Sequence, residues 1–213
     1  MHPLAKNIEW LGHDCFFIHG SKKVCIDPFE LKNSKRKADI ILVSHEHNDH
    51  CSLEDIQKVS TEKTIIVGSV QAAQKLGKNV NVLKPGETVK VGIKITGTSA
   101  YNVNKFRAPG QHFHPKQDQK LGFIFELDRV QYYHAGDSDF IQEMRALKNI
   151  DVAFLPVSGT YVMTAKEAVQ AADAIQPKLA IPMHYGSIVG SEKDAEEFKK
   201  HTSVAVEILK KSK

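Results

Sequence analysis

Over its first hundred residues the chain alternates short apolar runs with polar punctuation, the pattern of sheets laid down strand by strand. Residues 7–11, 15–19 and 22–27 are β-type runs separated by Gly12 and by Gly20-Ser21, the turn residues of a meander. Residues 39–44 (DIILVS) have an unbroken apolar centre, as a strand covered on both faces requires. Residues 64–67 repeat that character, Val70–Leu76 reads as a short helix, and residues 79–83 and 88–96 are further strands around the Pro85-Gly86 turn. Residues 101–120 differ: they are polar, rich in Pro, Gly and Asn, and lack any period, which marks a functional loop. Beyond it the pattern predicts strands at Leu121–Leu127 and Val130–His134, a helix near 140–147 and a strand at 152–157. A helix follows at 164–175, where Thr164 and Glu167 make a capping box and Ala168, Ala171, Ala172 and Ile175 form an apolar stripe. The last elements are a strand at 178–183, a helix at 192–201 and a strand at 204–209. Strands first, then strands alternating with helices, predict two sheets face to face with helices outside. The expected architecture is α/β, a four-layer αββα sandwich, with residues 1–213 as a single domain.

Hydrophobic residues at 41% and charged residues at 25% suit a globular protein with its own core and exclude a disordered chain. The net charge of +4 comes largely from Lys22-Lys23, Lys35-Arg36-Lys37 and Lys210-Lys211, which lack interleaved aromatics and read as solvated faces. Nucleic acid is therefore disfavoured as a partner, while steering of a small anionic molecule stays open. No run approaches the roughly 20 apolar residues of a membrane span, and Glu9 interrupts any signal-like N-terminus. No membrane partner and a cytoplasmic location are expected. Cys15, Cys25 and Cys51 form no CxxC pair and are read as reduced thiols, although Cys51 directly follows the most polar motif. A Ser-centred nucleophile elbow, a P-loop and a GxGxxG element are all missing from the sequence.

The chemistry concentrates in Ser44-His45-Glu46-His47-Asn48-Asp49-His50-Cys51-Ser52, where a buried strand ends. In an extended segment His45 and His47, two apart, point the same way. Asp49 and His50 fall where the chain curls into a helix capped by Ser52 and Asp55. Three imidazoles and a carboxylate within six residues are a nitrogen and oxygen donor set for zinc, and also for iron or manganese.

This segment resembles the HxHxDH signature of the metallo-β-lactamase superfamily. Gly12-His13, Ile26-Asp27-Pro28-Phe29, Tyr133-His134-Ala135-Gly136-Asp137 and Pro182-Met183-His184-Tyr185 follow in the expected order, across nearly the whole chain. It is similar above all to the small branch that includes the L-ascorbate-6-phosphate lactonases. The resemblance implies the metallo-β-lactamase fold and a binuclear centre of two divalent ions, Zn2+ first and Mn2+ or Fe2+ as alternatives. It implies His45 and His47 at the first ion, Asp49 and His50 at the second, Asp137 bridging, and His184 completing the second set. One histidine that the family supplies to the first ion is missing where the strand runs into Tyr101-Asn102. His114, restricted toward an extended backbone by Pro115, is the first candidate to replace it; His112 or a first ion with fewer ligands are the alternatives.

Around these ligands, Asp27 is expected to accept the second ring N–H of a liganding histidine such as His45. His13 is expected at a turn where substrate can touch it, His134 just outside the ligands, and Asn102, Tyr161 and Tyr185 within reach of substrate. Arg107 and Lys116 are the loop cations that would meet an anionic substrate. The implied reaction is hydrolysis of a small ester, lactone or phosphodiester by a hydroxide held between the ions, with Asp49 orienting it and passing on a proton. Two other readings compete: a metal-bound sensor of the same fold with little turnover, and a ribonuclease Z-like nuclease, which the modest charge and absent basic arm disfavour. Self-assembly into a homo-oligomer is left open.

Overall fold

In the computed structural model, which describes every residue except 33, 78 and 213, the apolar runs pair into two six-stranded sheets. The first begins as an antiparallel meander of β1 (Ile8–Gly12), β2 (Cys15–Ile18) and β3 (Val24–Ile26). Parallel strands β4 (Ile40–Val43), β5 (Ile65–Gly68) and β6 (Val80–Val82) extend it, connected by helices α1 (Leu53–Val59) and α2 (Val70–Leu76). Further along the chain come β7 (Thr88–Lys90), β8 (Lys94–Ser99), β9 (Phe106–Ala108), β10 (Gln111–His112), β11 (Leu121–Leu127) and β12 (Val130–His134). The remaining elements are β13 (Val152–Pro156), α3 (Ala165–Ile175), β14 (Leu179–Met183) and α4 (Glu192–His201). The second sheet has the order β14-β13-β12-β11-β8-β7, parallel at its β14 end and antiparallel elsewhere, while β9 and β10 form a separate hairpin.

Strand β4 shows why the layers stack. All four of its side chains are buried, and their period of two sends them to different cores. Ile40 and Leu42 join the intersheet core with Phe16, Phe123 and Phe154, and the Phe16 and Phe154 rings meet across the sheets at 4.2 Å. Ile41 and Val43 face the other way and pack with Ile56, Val59 and Ala72 of α1 and α2. On the second sheet Ala168, Ala171, Ala172 and Ile175 of α3, with Phe198 of α4, cover the outer face. The molecule is an αββα sandwich. The α3 capping box forms in full: Thr164 Oγ1 accepts from the Glu167 N–H at 3.2 Å, and Glu167 accepts from the Thr164 N–H at 2.8 Å.

Four predicted elements differ. Residues 88–96 are two strands, because Gly92 at φ 87° turns the chain back and the Val91 N–H donates to Ile93 O at 3.0 Å. The loop 101–120 carries the β9–β10 hairpin, whose turn is Pro109-Gly110 with Gly110 at φ 72°. Residues 142–146 form a 3₁₀ turn instead of an α-helix, since buried Ile141 and Met144 and half-buried Leu147 recur every third residue, the period of that helix. Residues 204–209 make only one bridge to β14, through Ala180, which donates to Ala205 O and accepts from the Glu207 N–H. Pairing stops there because the next donor along β14 would be Pro182, which has no N–H. Among the described residues, no helix is long and apolar enough to cross a membrane.

Candidate metal centre

Chain turns and strand ends from both sheets deliver acidic and imidazole groups to one edge of the sandwich. The segment after β4 brings His45, His47, Asp49 and His50; Asp137 follows β12, His184 follows β14, and His13 and Asp14 occupy the β1–β2 turn. Two backbone contacts tie the sheets together here: the Leu121 N–H donates to Ser44 O at 3.1 Å, and the His184 N–H to His13 O at 3.2 Å. His13, Asp27 and His184 adopt left-handed backbone at φ 52°, 43° and 59°. Such conformations cost about 1–3 kcal/mol each and persist where surrounding structure imposes them. Just before Asp137, Gly136 at φ 61° passes so close to the Leu121 carbonyl that a Cβ would overlap it.

The donors fall into two sets that meet on one carboxylate. His45 Nε2 and His114 Nε2 lie 3.1 and 3.4 Å from His47 Nδ1, and both approach Asp137 Oδ2, at 3.7 and 3.5 Å. Asp137 Oδ1 faces the other set, 3.3 Å from His50 Nε2 and 3.4 Å from His184 Nε2. Asp49 Oδ2 lies 3.6 Å from His50 Nε2. His114 thus joins His45 and His47, whereas His112 stacks on Phe106 at 4.4 Å and points at Val103 O.

These groups fit divalent cations. His50 Nε2, His184 Nε2 and Asp137 Oδ1 are buried and have no hydrogen-bond partner among the described residues. Unpaired polar atoms at that depth cost free energy, and a cation among them removes the cost. Their basicities divide the same way. Burial, reinforced by the neighbouring His50, holds His45 well below the usual imidazole range, burial lowers His47, and burial brings His114 down to about 4. The first set is therefore neutral and ready to donate lone pairs. Burial pushes His50 down too, but the Asp137 and Asp49 carboxylates outweigh it and hold it well above its ordinary value. In the same contest Asp137 and Asp14 raise His184 to about 9. Without a cation the second set keeps protons between its carboxylates and imidazoles; a divalent ion takes their place.

A hydrogen-bonded layer aims the rings. Asp27 Oδ1 accepts from the Ser44 N–H at 2.8 Å, while Oδ2 accepts from Ser44 Oγ at 2.7 Å and faces His50 Nδ1 at 2.9 Å. A carboxylate only accepts, so His50 carries its hydrogen on Nδ1 and turns the Nε2 lone pair inward. Ser44 Oγ is also 3.0 Å from His45 Nδ1 and imposes the same tautomer there. The direct partner of Asp27 is hence His50, and His45 is reached through the Ser44 hydroxyl, which corrects the expected direct contact. Ser158 Oγ does the corresponding work on His184 Nδ1 at 3.0 Å. His114 is clamped by Asn102: the Asn102 N–H donates to His114 O and the His114 N–H to Asn102 Oδ1, both at 2.8 Å.

The other expected site residues are spread more widely. Asn102 spends its NH2 on Asp139 and Tyr161 O and holds His114 with its Oδ1 and its backbone N–H, so it positions His114 and has no group left for substrate. Tyr161 stacks edge-on with Phe113 at 4.7 Å, and Tyr185 is buried against Trp10 at 4.8 Å. His134 stands outside the donor sets, with Nε2 3.1 Å from Asp14 O and Nδ1 accepting from the Gly136 N–H. His13 is buried with Nε2 3.3 Å from Asp49 Oδ2. Cys51 lies in the helix-side core, its thiol raised to about 11 by burial. Arg107 donates to Phe113 O and Lys116 pairs with Glu143, so each loop cation is engaged within the protein.

Sequence reasoning missed Asp14, Ser44, Ser158 and the buried Lys120, whose ammonium holds Glu46 through both carboxylate oxygens at 2.7 and 2.8 Å. Asp14 had a signal, a carboxylate beside His13 in a strand turn; a lone Ser or Lys has none.

Residues 7–184 match the family model described as the beta-lactamase superfamily domain. A metal-dependent hydrolase of Thermoplasma acidophilum is 34% identical, over 90% of this chain and 88% of its own. One from Pyrococcus abyssi is 35% identical, over 91% and 90%. The crystal structure of a candidate metal-dependent hydrolase from Parabacteroides distasonis superposes with a TM-score of 0.83 at 34% identity, covering 95% of this chain and 93% of that one.

Proposed function

The chain belongs to the beta-lactamase superfamily, and on that premise we propose that it hydrolyses a small ester, lactone or phosphodiester at a centre of two divalent ions. The observation that carries this reading is Asp137, whose two oxygens each lie 3.3–3.7 Å from two imidazole nitrogens of opposite sets. One carboxylate placed in this way is a bridge between two ligand sets. His45, His47 and His114 would hold the first ion; Asp49, His50 and His184 the second. Ions bound there would supply Lewis acidity, bringing the pKa of water toward neutrality and polarising the carbonyl or phosphoryl oxygen of the group under attack.

The protein's own groups do the rest. Asp49 is 23% exposed at its side chain against 3% for Asp137, so it is the cluster carboxylate that reaches solvent and incoming substrate. It takes a proton from the attacking water and returns it to the leaving group, with His13 Nε2 at 3.3 Å fixing its orientation. Lys116 is paired with Glu143 and Arg107 meets a backbone carbonyl, so of the two only Arg107 keeps its charge for an anion, which favours uncharged esters and lactones over strongly anionic phosphodiesters. A nitrogen-rich first set suits zinc.

The test is a panel of lactones, esters and phosphodiesters assayed with zinc, manganese and iron, together with metal analysis. About two ions per chain are expected, with lactone or ester turnover that His47→Ala lowers by at least about 100-fold, since even partners behind the ligands account for 10–100-fold. Far less than one ion per chain, or turnover untouched by His47→Ala, would overturn the proposal.

A further inference from the structure

Asp14 is a buried acid that the reaction above does not use. It is fully buried, and among the described residues neither of its carboxylate oxygens has a hydrogen-bond partner. Its position is fixed from behind, since His134 Nε2 lies 3.1 Å from the Asp14 backbone carbonyl. In front, Asp14 Oδ2 is 3.4 Å from His13 Nε2 and 3.9 Å from both His50 Nε2 and His184 Nε2. A cation about 2.1–2.2 Å from each donor spans pairs up to roughly 4.3 Å apart, so these separations are within reach of one ion. A buried carboxylate without partners costs several kcal/mol unless a positive charge meets it. Two of the three imidazoles around it, His50 and His184, are the ones that face the second ion position.

We infer that Asp14 is a ligand of the second ion position, where it adds a third carboxylate and opens that position to manganese(II) or iron(II). The inference rests on the two-ion reading and deepens it. The first position offers three imidazole nitrogens and one oxygen of Asp137. The second offers His50 and His184, with His13 Nε2 beside them, and three carboxylates, Asp14, Asp49 and Asp137, so it holds three oxygen donors to the first position's one. Nitrogen-rich, four-donor sets favour zinc, whereas oxygen-rich sets with more donors suit manganese and iron. Zinc outbinds manganese at most sites, so the expected sign is a narrowed zinc advantage at the second position and a wide one at the first.

The experiment uses the full chain, stripped with chelator and titrated separately with zinc and manganese. Bound ions are counted by mass spectrometry, and free manganese(II) by electron paramagnetic resonance. For the wild type, the ratio of manganese to zinc Kd should be at least tenfold smaller at the second position than at the first. Asp14→Ala should weaken manganese at the second position by about 10–100-fold while zinc at the first changes less than about twofold. Asp14→Asn keeps the shape but lacks the charge; it should show the same loss. Manganese binding unchanged in either variant would overturn the assignment and leave the two-ion reading standing. Equal ratios at both positions of the wild type would overturn it without any variant. A wild type that binds fewer than two ions would bring down both readings together.

Discussion

Asp27→Asn tests the hydrogen-bonded layer with little disturbance elsewhere. Asp27 is fully buried at φ 43°, and asparagine tolerates left-handed backbone as well as aspartate does, so no new strain enters. The amide oxygen can replace Oδ1 and accept from the Ser44 N–H. The NH2 then stands where Oδ2 faces His50 Nδ1 at 2.9 Å and Ser44 Oγ at 2.7 Å. Donor would meet donor at His50 unless the ring moves its hydrogen to Nε2, and that switch removes the lone pair aimed at the second ion. Ser44 must also reverse, which loosens the tautomer of His45. Loss of such a partner costs 10–100-fold in metal affinity, about 1.4–2.7 kcal/mol. Competition against a chromophoric chelator measures the Kd, and circular dichroism melting confirms that the variant folds. A folded Asp27→Asn protein that binds both ions as tightly as the wild type would refute the reasoning.

Two further outcomes follow from the same geometry. His114→Ala should lower bound zinc from about two ions per chain to about one, whereas His112→Ala should leave it unchanged, because only His114 faces His45 and His47; metal analysis giving the reverse would sink the assignment. Chelation should invert the pH response of stability. With no ion bound, burial lowers His184 but Asp137 and Asp14 raise it more, to about 9, so its contribution is complete below roughly 6.5 and lost as pH rises through about 9. His45, His47 and His114 are held low, so they oppose this trend only near pH 6.5, where their unfolded forms are still half-protonated, and add no slope above about pH 8. Ion binding releases protons and strengthens with pH, so Tm curves with and without chelator should diverge between pH 6.5 and 9; parallel curves would contradict this.

The sandwich was legible in the sequence where burial alone sets the pattern. Strand β4 declares itself by four consecutive apolar residues, and α3 by a capping box above an alanine stripe. What escaped depended on single residues acting at a distance. Gly92 splits a continuous apolar run, and Pro182, far along the chain from residues 204–209, denies them a partner. The same division holds at the metal centre. His45, His47, Asp49 and His50 announce themselves by spacing within six residues. His114 reaches the cluster across 67 positions, and no spacing rule separates it from His112; only the Asn102 clamp does. Asp27 was placed in the right layer but given the wrong first neighbour, because Ser44 stands between it and His45.

That clamp has a consequence for how such a chain diversifies. Asn102 and His114 grip each other by one backbone contact and one through Asn102 Oδ1, while Val103, Asn104 and Lys105 are held by Asp139 and Glu167, which leaves the β9–β10 hairpin between them as the excursion. Closing a loop becomes only slowly harder with its length, about 0.6 kcal/mol for each doubling. The excursion can lengthen, shorten or exchange its sequence while His114 keeps its address. A lineage built on this frame is free to rewrite the wall beside the reaction centre as often as new substrates demand, without rebuilding the centre.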